Sequence, residues 1–335
     1  MRSKSALHIH FETRAGKPSV FRITEPLIAA AKARSQTEII TTLGVELADI
    51  SWLPHVNGLV TSNDVIIDPK FPMRQLAQRA SVLKWIHIIG AGIEPLLPFD
   101  WLPSGVTLTN NSGIHSEKAA ESATMVLLML NSRFPAIVSN QHRAIWDQIF
   151  TSTIRGKTVL IIGLGDMGAA VASAARHLGM QVLGVRRSGL AHQMAHETFS
   201  IDYLDSLLPR ADIVVLAAPL TSETRNLMDG RRFHLMKRGA GFFNFGRAGS
   251  VDHGALVACL EDGRLSGAVI DVVDTEPLSP NSPLWRAKNL IITPHVTSDD
   301  LDGYLPKTLD LVFENANRLK SGQPLLNIVD PTKQY

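Results

Sequence analysis

The segment Gly163-Leu-Gly165-Asp166-Met167-Gly168 stands directly behind the apolar run Thr158-Val-Leu-Ile-Ile162 and ahead of a small-residue helical pattern. The G-x-G-x-x-G spacing is common by itself. A strand in front and a helix behind turn it into a phosphate-binding β–α turn. Gly163 permits the tight turn, Gly165 lets backbone approach a pyrophosphate with no Cβ in the way, and Gly168 lets the helix lie close to its strand. The helix start, with Asp166 and Met167, then offers N–H groups and a partial positive charge to an anion. The next strand pattern, Val182–Val185, runs into Arg186-Arg187-Ser188. A carboxylate is usual there, about 20 residues past the turn, where it holds a ribose 2′-hydroxyl. An arginine instead binds a 2′-phosphate through its fork of N–H groups, with Arg187 and Ser188 as further contacts. The expected cofactor is therefore NADP(H), with NAD(H) as the alternative.

A turn of this kind belongs to an open α/β sheet, and the rest of the chain fits one. Short β-rich runs alternate with helical periodicity throughout, the pattern of parallel sheets. In the first part the expected strands are Ala6–Phe11, Ile39–Leu43, Asp49–Trp52, Val65–Ile67 and Lys84–Ile89. The expected helices there are Thr24–Ala33 and Pro72–Ala80. A long helix follows over His115–Asn131. The second series has strands at Lys157–Ile162, Gln181–Val185, Ile213–Ala217, Gly241–Asn244, Ala268–Val272 and Leu290–Thr293, and a helix at Ala169–Leu178. The last helix, Leu305–Leu319, has no strands of its own to cover. It is expected to return to the first domain, which makes that domain discontinuous: residues 1–107 with 297–335, around a dinucleotide-binding domain at 108–296.

Length agrees with two domains, since 335 residues exceed one ordinary core. Hydrophobic residues make up 45% and charged ones 19%, an ordinary globular balance. The formal net charge of +2 is scattered, so no nucleic-acid or membrane-surface footprint is expected. The lone Cys259 forbids an internal disulfide and reads as a small buried residue. The first ten residues lack an apolar secretory core, no run is long enough to span a bilayer, and no His/Cys set has zinc spacing. A cytoplasmic enzyme without a metal is the expectation.

Three segments carry the chemistry. They are Asn244-Phe245-Gly-Arg247-Ala-Gly-Ser-Val-Asp252, Asp271-Val-Val-Asp-Thr-Glu276-Pro-Leu278 and Thr293-Pro-His295, each behind an expected parallel strand. Ligands of open α/β sheets sit beyond the carboxyl ends of strands, so the three can converge. Singly, Arg247 reads as a surface ion-pair partner, Glu276 as a turn residue and His295 as a loop histidine. Together, behind a dinucleotide turn, they make a guanidinium, a carboxylate and an imidazole suited to reducing a keto group. His295 would serve as general acid, Glu276 would orient its ring and favour its protonated form, and Arg247 would hold a carboxylate and polarise the ketone.

In the order and spacing of these motifs the chain resembles the D-isomer-specific 2-hydroxyacid dehydrogenases, which include glyoxylate and hydroxypyruvate reductases. The likeness also takes in Gly90-Ala91-Gly92, Glu121 in the long helix, and the segment from Ala218 and Pro219 to Thr224. It implies two Rossmann-like domains: a dinucleotide-binding domain and a smaller flavodoxin-like substrate domain, with the active-site cleft between them. It implies that Arg247, Glu276 and His295 are catalytic and that the amides of Ala91 and Gly92 clamp the substrate carboxylate. By the same likeness Ala218, Pro219, Thr224, Phe245 and Asp271 contact the cofactor, Asp271 at the nicotinamide carboxamide. The substrate implied is a small 2-keto or 2-hydroxy acid, its size set around Trp52, Leu53 and Ile93. The assembly implied is a homodimer, to which Trp146 contributes or in which it is merely core. Ala248 and Glu94 depart from the common glycine and aspartate without removing a functional group. Formate dehydrogenases pair the histidine with Gln, which Glu276 opposes; a phosphite dehydrogenase and a cofactor-sensing corepressor stay open.

Overall fold

The computed structural model describes residues 6–330, which form two compact units. The chain leaves the first unit after His115 and returns to it at Asp299. Both crossings fall later than 107/108 and 296/297, because residues past 107 still serve the first sheet. The amide of Asn111 donates to Gly90 O at 3.1 Å, and its side chain donates to Ile89 O at 2.9 Å and to Thr308 Oγ1 at 2.7 Å.

The first unit holds five parallel strands: β1 (His8–Thr13), β2 (Ile40–Val45), β3 (Gly58–Thr61), β4 (Trp85–Ile88) and β5 (Thr107–Thr109). Their order is β2-β1-β3-β4-β5, the flavodoxin-like arrangement. Ile9, Phe11, Val60 and Trp85 bury one face beneath Leu309, Val312 and Phe313 of the Tyr304–Ser321 helix. The other face packs on Leu53, Val65, Ile66, Leu76 and Trp101. Two sequence expectations fail here. Asp49–Trp52 is a turn and Val65–Ile67 is a helical turn (Asn63–Ile66), while the true strand between them is β3. All three are short apolar runs, which periodicity cannot tell apart. Pro72–Ala80 is a 3₁₀ turn, Met73–Gln75, followed by one α-turn, Leu76–Arg79.

The second unit holds seven parallel strands: β6 (Thr158–Ile162), β7 (Gln181–Val185), β8 (Glu197–Phe199), β9 (Ile213–Leu216), β10 (Ala240–Asn244), β11 (Leu265–Ile270) and β12 (Leu290–Ile292). Their order, β12-β11-β10-β9-β6-β7-β8, is doubly wound and reverses between β6 and β9. Alternate side chains feed two cores. Leu160, Ile162, Val214 and Phe242 go to one face; Val159, Ile161, Val215 and Phe243 go to the other, under Ala119, Ala123, Val126 and Leu127 of the Ser116–Asn131 helix. A second helix, Phe134–His142, follows it with Pro135 in its first turn, where a missing N–H is harmless. Cys259 lies buried in the His253–Glu261 helix, and burial pushes its thiol up, away from nucleophilic use.

Candidate active site

All seven strands of the second unit run one way, so their carboxyl ends share one edge of the sheet. The glycine turn occupies the point where the strand order reverses. Gly163 leaves β6 with φ +96°, and its N–H donates to Val185 O at 2.8 Å. A Cβ on Gly163 would stand 2.6 Å from Ala218 N, and one on Gly168 would stand 1.8 Å from Gly163 O. Those two glycines therefore let three backbone segments close together. Gly165 differs: a Cβ there meets nothing within 4 Å. The space it keeps clear lies at the start of the twelve-residue Asp166–His177 helix, where the first amides have no intrahelical partner. An open cradle, a helix start and a crevice at the strand-order reversal together fit the pyrophosphate of a nicotinamide dinucleotide.

At the end of β7, Gly189 N donates to Arg186 O at 3.0 Å and closes a turn that presents Arg186, Arg187 and Ser188. Arg187 Nε is paired with Glu223 Oε2 at 3.3 Å. Thr224 faces inward on its own loop. Its Oγ1 donates to Pro219 O at 2.7 Å and accepts from Thr221 N at 2.8 Å, so it shapes the segment beyond Ala218 more than it offers a hydroxyl. Phe245 is buried and stacks on Phe243 at 4.8 Å.

The three chemistry-bearing segments follow the neighbouring strands β10, β11 and β12. Buried Asn244 turns the backbone at Arg247: its Nδ2 donates to Arg247 O at 3.2 Å and its Oδ1 accepts from Gly246 N at 3.1 Å. Arg247 Nη1 donates to Gly246 O at 3.0 Å. Asp271 is 3% exposed, and its Oδ1 accepts from Thr293 Oγ1 at 2.6 Å, Val296 N at 3.2 Å and Thr297 N at 3.4 Å. It thereby ties the end of β11 to the loop that carries His295, a task with no signature in the chain order.

His295 has φ +54°, a left-handed conformation that few residues other than glycine and Asn, Asp or His adopt. Its Nδ1 lies 2.8 Å from Glu276 Oε2, while Glu276 Oε1 accepts from Val273 N at 3.3 Å. An ionised carboxylate only accepts, so Nδ1 carries a hydrogen and Nε2 is the nitrogen able to take or give a proton. The pair is roughly half exposed, at 47% for His295 and 40% for Glu276.

In the first unit the Gly90–Gly92 loop behind β4 has all three carbonyls engaged. Gly90 O accepts from Asn111 N at 3.1 Å, Ala91 O from Asn110 Nδ2 at 2.8 Å and Gly92 O from Asn63 Nδ2 at 2.8 Å. The polar groups left to that loop are its N–H groups.

Comparison with known proteins agrees with this architecture. The family model for the D-isomer specific 2-hydroxyacid dehydrogenase NAD-binding domain matches residues 124–297. Glyoxylate/hydroxypyruvate reductase B of Salmonella schwarzengrund is 31% identical over 232 residues, 67% of this chain and 71% of that protein. Glyoxylate reductase of Aeropyrum pernix is 31% identical over 240 residues, 68% and 70% of the two chains. Among solved structures, a D-isomer specific 2-hydroxyacid dehydrogenase from Xanthobacter autotrophicus, in complex with NADPH and MES, superposes with a TM-score of 0.84 at 28% identity. It covers 99% of this chain and 100% of its own. An NADPH-dependent glyoxylate/hydroxypyruvate reductase from Sinorhizobium meliloti, in complex with NADP and sulfate, gives 0.78 at 26% identity over 98% and 100%. With a dinucleotide cradle at the strand reversal and both domains matched, the chain belongs to the D-isomer-specific 2-hydroxyacid dehydrogenase family, oxidoreductases that bind a nicotinamide dinucleotide and act on small 2-hydroxy and 2-keto acids.

Proposed function

We propose that this chain is an NADP(H)-dependent reductase of small 2-keto acids of the glyoxylate and hydroxypyruvate kind, yielding D-2-hydroxy acids. The observation that carries the reading is the 2.8 Å contact between His295 Nδ1 and Glu276 Oε2, on the same sheet edge as the glycine turn. When bound, the nicotinamide supplies a hydride to the keto carbon, or takes one in the reverse direction. His295 gives the proton on Nε2 to the carbonyl oxygen as negative charge develops there. Glu276 holds Nδ1–H, fixing the ring and offsetting the charge of its protonated form. Arg247 binds the substrate carboxylate and draws charge toward the ketone oxygen. Asp271 would hold the nicotinamide carboxamide, while its Oδ1 steadies the His295 loop.

Arg186 favours a 2′-phosphate over a bare ribose, and the similar Xanthobacter and Sinorhizobium structures are described with NADPH and NADP. A homodimer is supported by a run of exposed apolar side chains: Met125, Leu128, Phe134, Ile137, Ile145, Trp146 and Phe150 all lie within one stretch of the second unit. Trp146 is 94% exposed, so within the single chain it is not core.

The test is a panel of 2-keto acids with NADPH and with NADH, followed at the nicotinamide absorbance, for the wild type and His295→Ala. Turnover of the small acids with NADPH is expected. The variant should lose at least about a hundredfold in kcat while its NADPH affinity stays within about twofold. A fully active His295→Ala protein would overturn the assignment.

A further inference from the structure

The loop that carries Glu276 grips a second histidine. Two residues before Glu276, Asp274 Oδ2 lies 3.0 Å from Nδ1 of His253, the first residue of the His253–Glu261 helix. The loop therefore makes two imidazole–carboxylate pairs, Asp274 with His253 and Glu276 with His295, both through Nδ1. The environments differ. His253 is 9% exposed, and its Nε2 is buried with no hydrogen-bond partner among the described residues. A buried ring nitrogen without a partner is unfavourable, and an apolar residue of like volume would pack there without that penalty. A histidine is useful at this place for what Nδ1 holds.

We infer that His253 is a positioning residue for the reaction: through Asp274 it fixes the backbone that sets the Glu276 carboxylate. The path is short. His253 Nδ1–H donates to Asp274; the preceding residue, Val273, gives its N–H to Glu276 Oε1; and Glu276 Oε2 receives Nδ1–H of His295. At its base the loop is fixed by Asp271, whose amide donates to Asn244 O at 3.1 Å. Between that anchor and the Glu276–Pro277 bond, Asp274 is the side chain that ties the loop to the helix. The helix end is itself firm, because Asp252 Oδ1 accepts from Ala255 N at 2.9 Å. Without the His253 bond Asp274, 68% exposed, would turn to solvent, and Val273 N–H would no longer be held under Glu276. The inference rests on Glu276 and His295 acting as proposed above.

The test is a double-mutant cycle on kcat with NADPH and the best 2-keto acid from the panel. Asp274→Ala removes the link from the exposed side and should not disturb folding; His253→Leu removes it from the buried side. Each is expected to lower kcat by about tenfold, with KM and NADPH affinity within about twofold, since only geometry at the proton donor changes. His253→Asn, whose Nδ2 lies near the place of the ring Nδ1, should restore most of the rate. In a Glu276→Ala background the effect of Asp274→Ala should shrink to under about twofold, because the side chain it positions has been removed. Wild-type kcat in Asp274→Ala, or a drop that persists in full beside Glu276→Ala, would overturn the inference while leaving the roles of Glu276 and His295 standing. Wild-type kcat in Glu276→Ala alone would instead defeat the reading of the dyad, and this inference with it.

Discussion

Gly165 and Gly168 sit three residues apart in one turn, yet the structure gives a methyl group at each an opposite fate. At Gly168 the added Cβ would stand 1.8 Å from Gly163 O and 2.9 Å from Gly163 C, both backbone atoms that cannot swing away. The helix would have to lift by more than an ångström off its strand. Overpacking of that kind destabilises by about 1–3 kcal/mol or more. For a unit of this size each kcal/mol shifts the melting point by about 2–4 °C, so Gly168→Ala should melt roughly 2–12 °C early. At Gly165 the Cβ meets nothing within 4 Å, and the backbone, at φ −80° and ψ −164°, is open to any L-residue. Alanine is a poorer N-cap than glycine by about 0.5–1 kcal/mol, but it restricts the unfolded chain by about 0.4–1 kcal/mol. The two nearly cancel, and the melting point of Gly165→Ala should stay within about 2 °C of wild type. Binding should behave in reverse. The new methyl enters the space proposed for the pyrophosphate, beside the backbone N–H groups of the helix start. Losing one such charge-assisted bond, about 1.5–3 kcal/mol, weakens cofactor by about 10–150-fold. The assay is differential scanning fluorimetry without ligand beside an NADPH titration by nicotinamide fluorescence. A Gly165→Ala protein that binds NADPH as the wild type does would refute the placement of the cofactor, and one that melts as early as Gly168→Ala would refute the reading of open space.

Three further outcomes follow from other parts of the molecule. Arg186→Asp should raise KM for NADPH by at least about tenfold and leave that for NADH within about threefold, through loss of a guanidinium–phosphate contact; an unchanged ratio of the two would count against NADP(H). Burial, opposed by the Asn111 bond, pushes the His87 imidazole down to about 4, so the folded state holds it neutral where the unfolded chain is already protonated. Its contribution is fully present above about pH 6.5 and is lost on acidification toward 4, at up to about 1.4 kcal/mol per pH unit. Urea unfolding of His87→Gln at several pH values should show a correspondingly shallower acid slope, and parallel slopes would contradict this. If the exposed stretch from Met125 to Phe150 is a subunit interface, Phe134→Glu with Ile137→Glu should shift sedimentation from dimer to monomer, and a wild-type protein that sediments as a monomer would dispose of the dimer.

The legible parts of the sequence were those where chemistry is local. β7 is Gln181–Val185, as the pattern indicates, and β6 and β9 differ from expectation by one residue at one end. The turn between β6 and its helix is encoded by three glycines whose steric reasons are adjacent in the chain. Short apolar runs were not legible. Ile-Ser-Trp, Gly-Leu-Val and Val-Ile-Ile are each short and mostly apolar, and only packing decides which becomes β3. The Phe134–His142 helix lies outside the expected elements, and its Pro135 stands at the helix start, where a missing N–H is harmless. β8 and β5, three residues each, are too short to carry periodicity. Arg247, Glu276 and His295, the residues proposed to act on substrate, stand out by order along the chain, whereas the grip of Asp271 on the His295 loop and the His253–Asp274 pair join residues with no sequence rhythm between them. Thr224 was expected at the cofactor and is found bracing its own loop.

The break in the first unit has a bearing on biosynthesis. A ribosome that has reached Ser298 has synthesised every strand of both sheets, and once those residues have cleared the exit tunnel the second unit can close on its own side chains. The first unit still lacks Leu305, Leu309, Val312 and Phe313, which cover Ile9, Phe11 and Trp85. The part made first is thus the last to be sealed, and for most of translation one apolar side of its sheet stays open to water. Nascent chains halted before Tyr304 should accordingly attract holdase chaperones to the amino-terminal region, and release of those chaperones should coincide with emergence of the final helix.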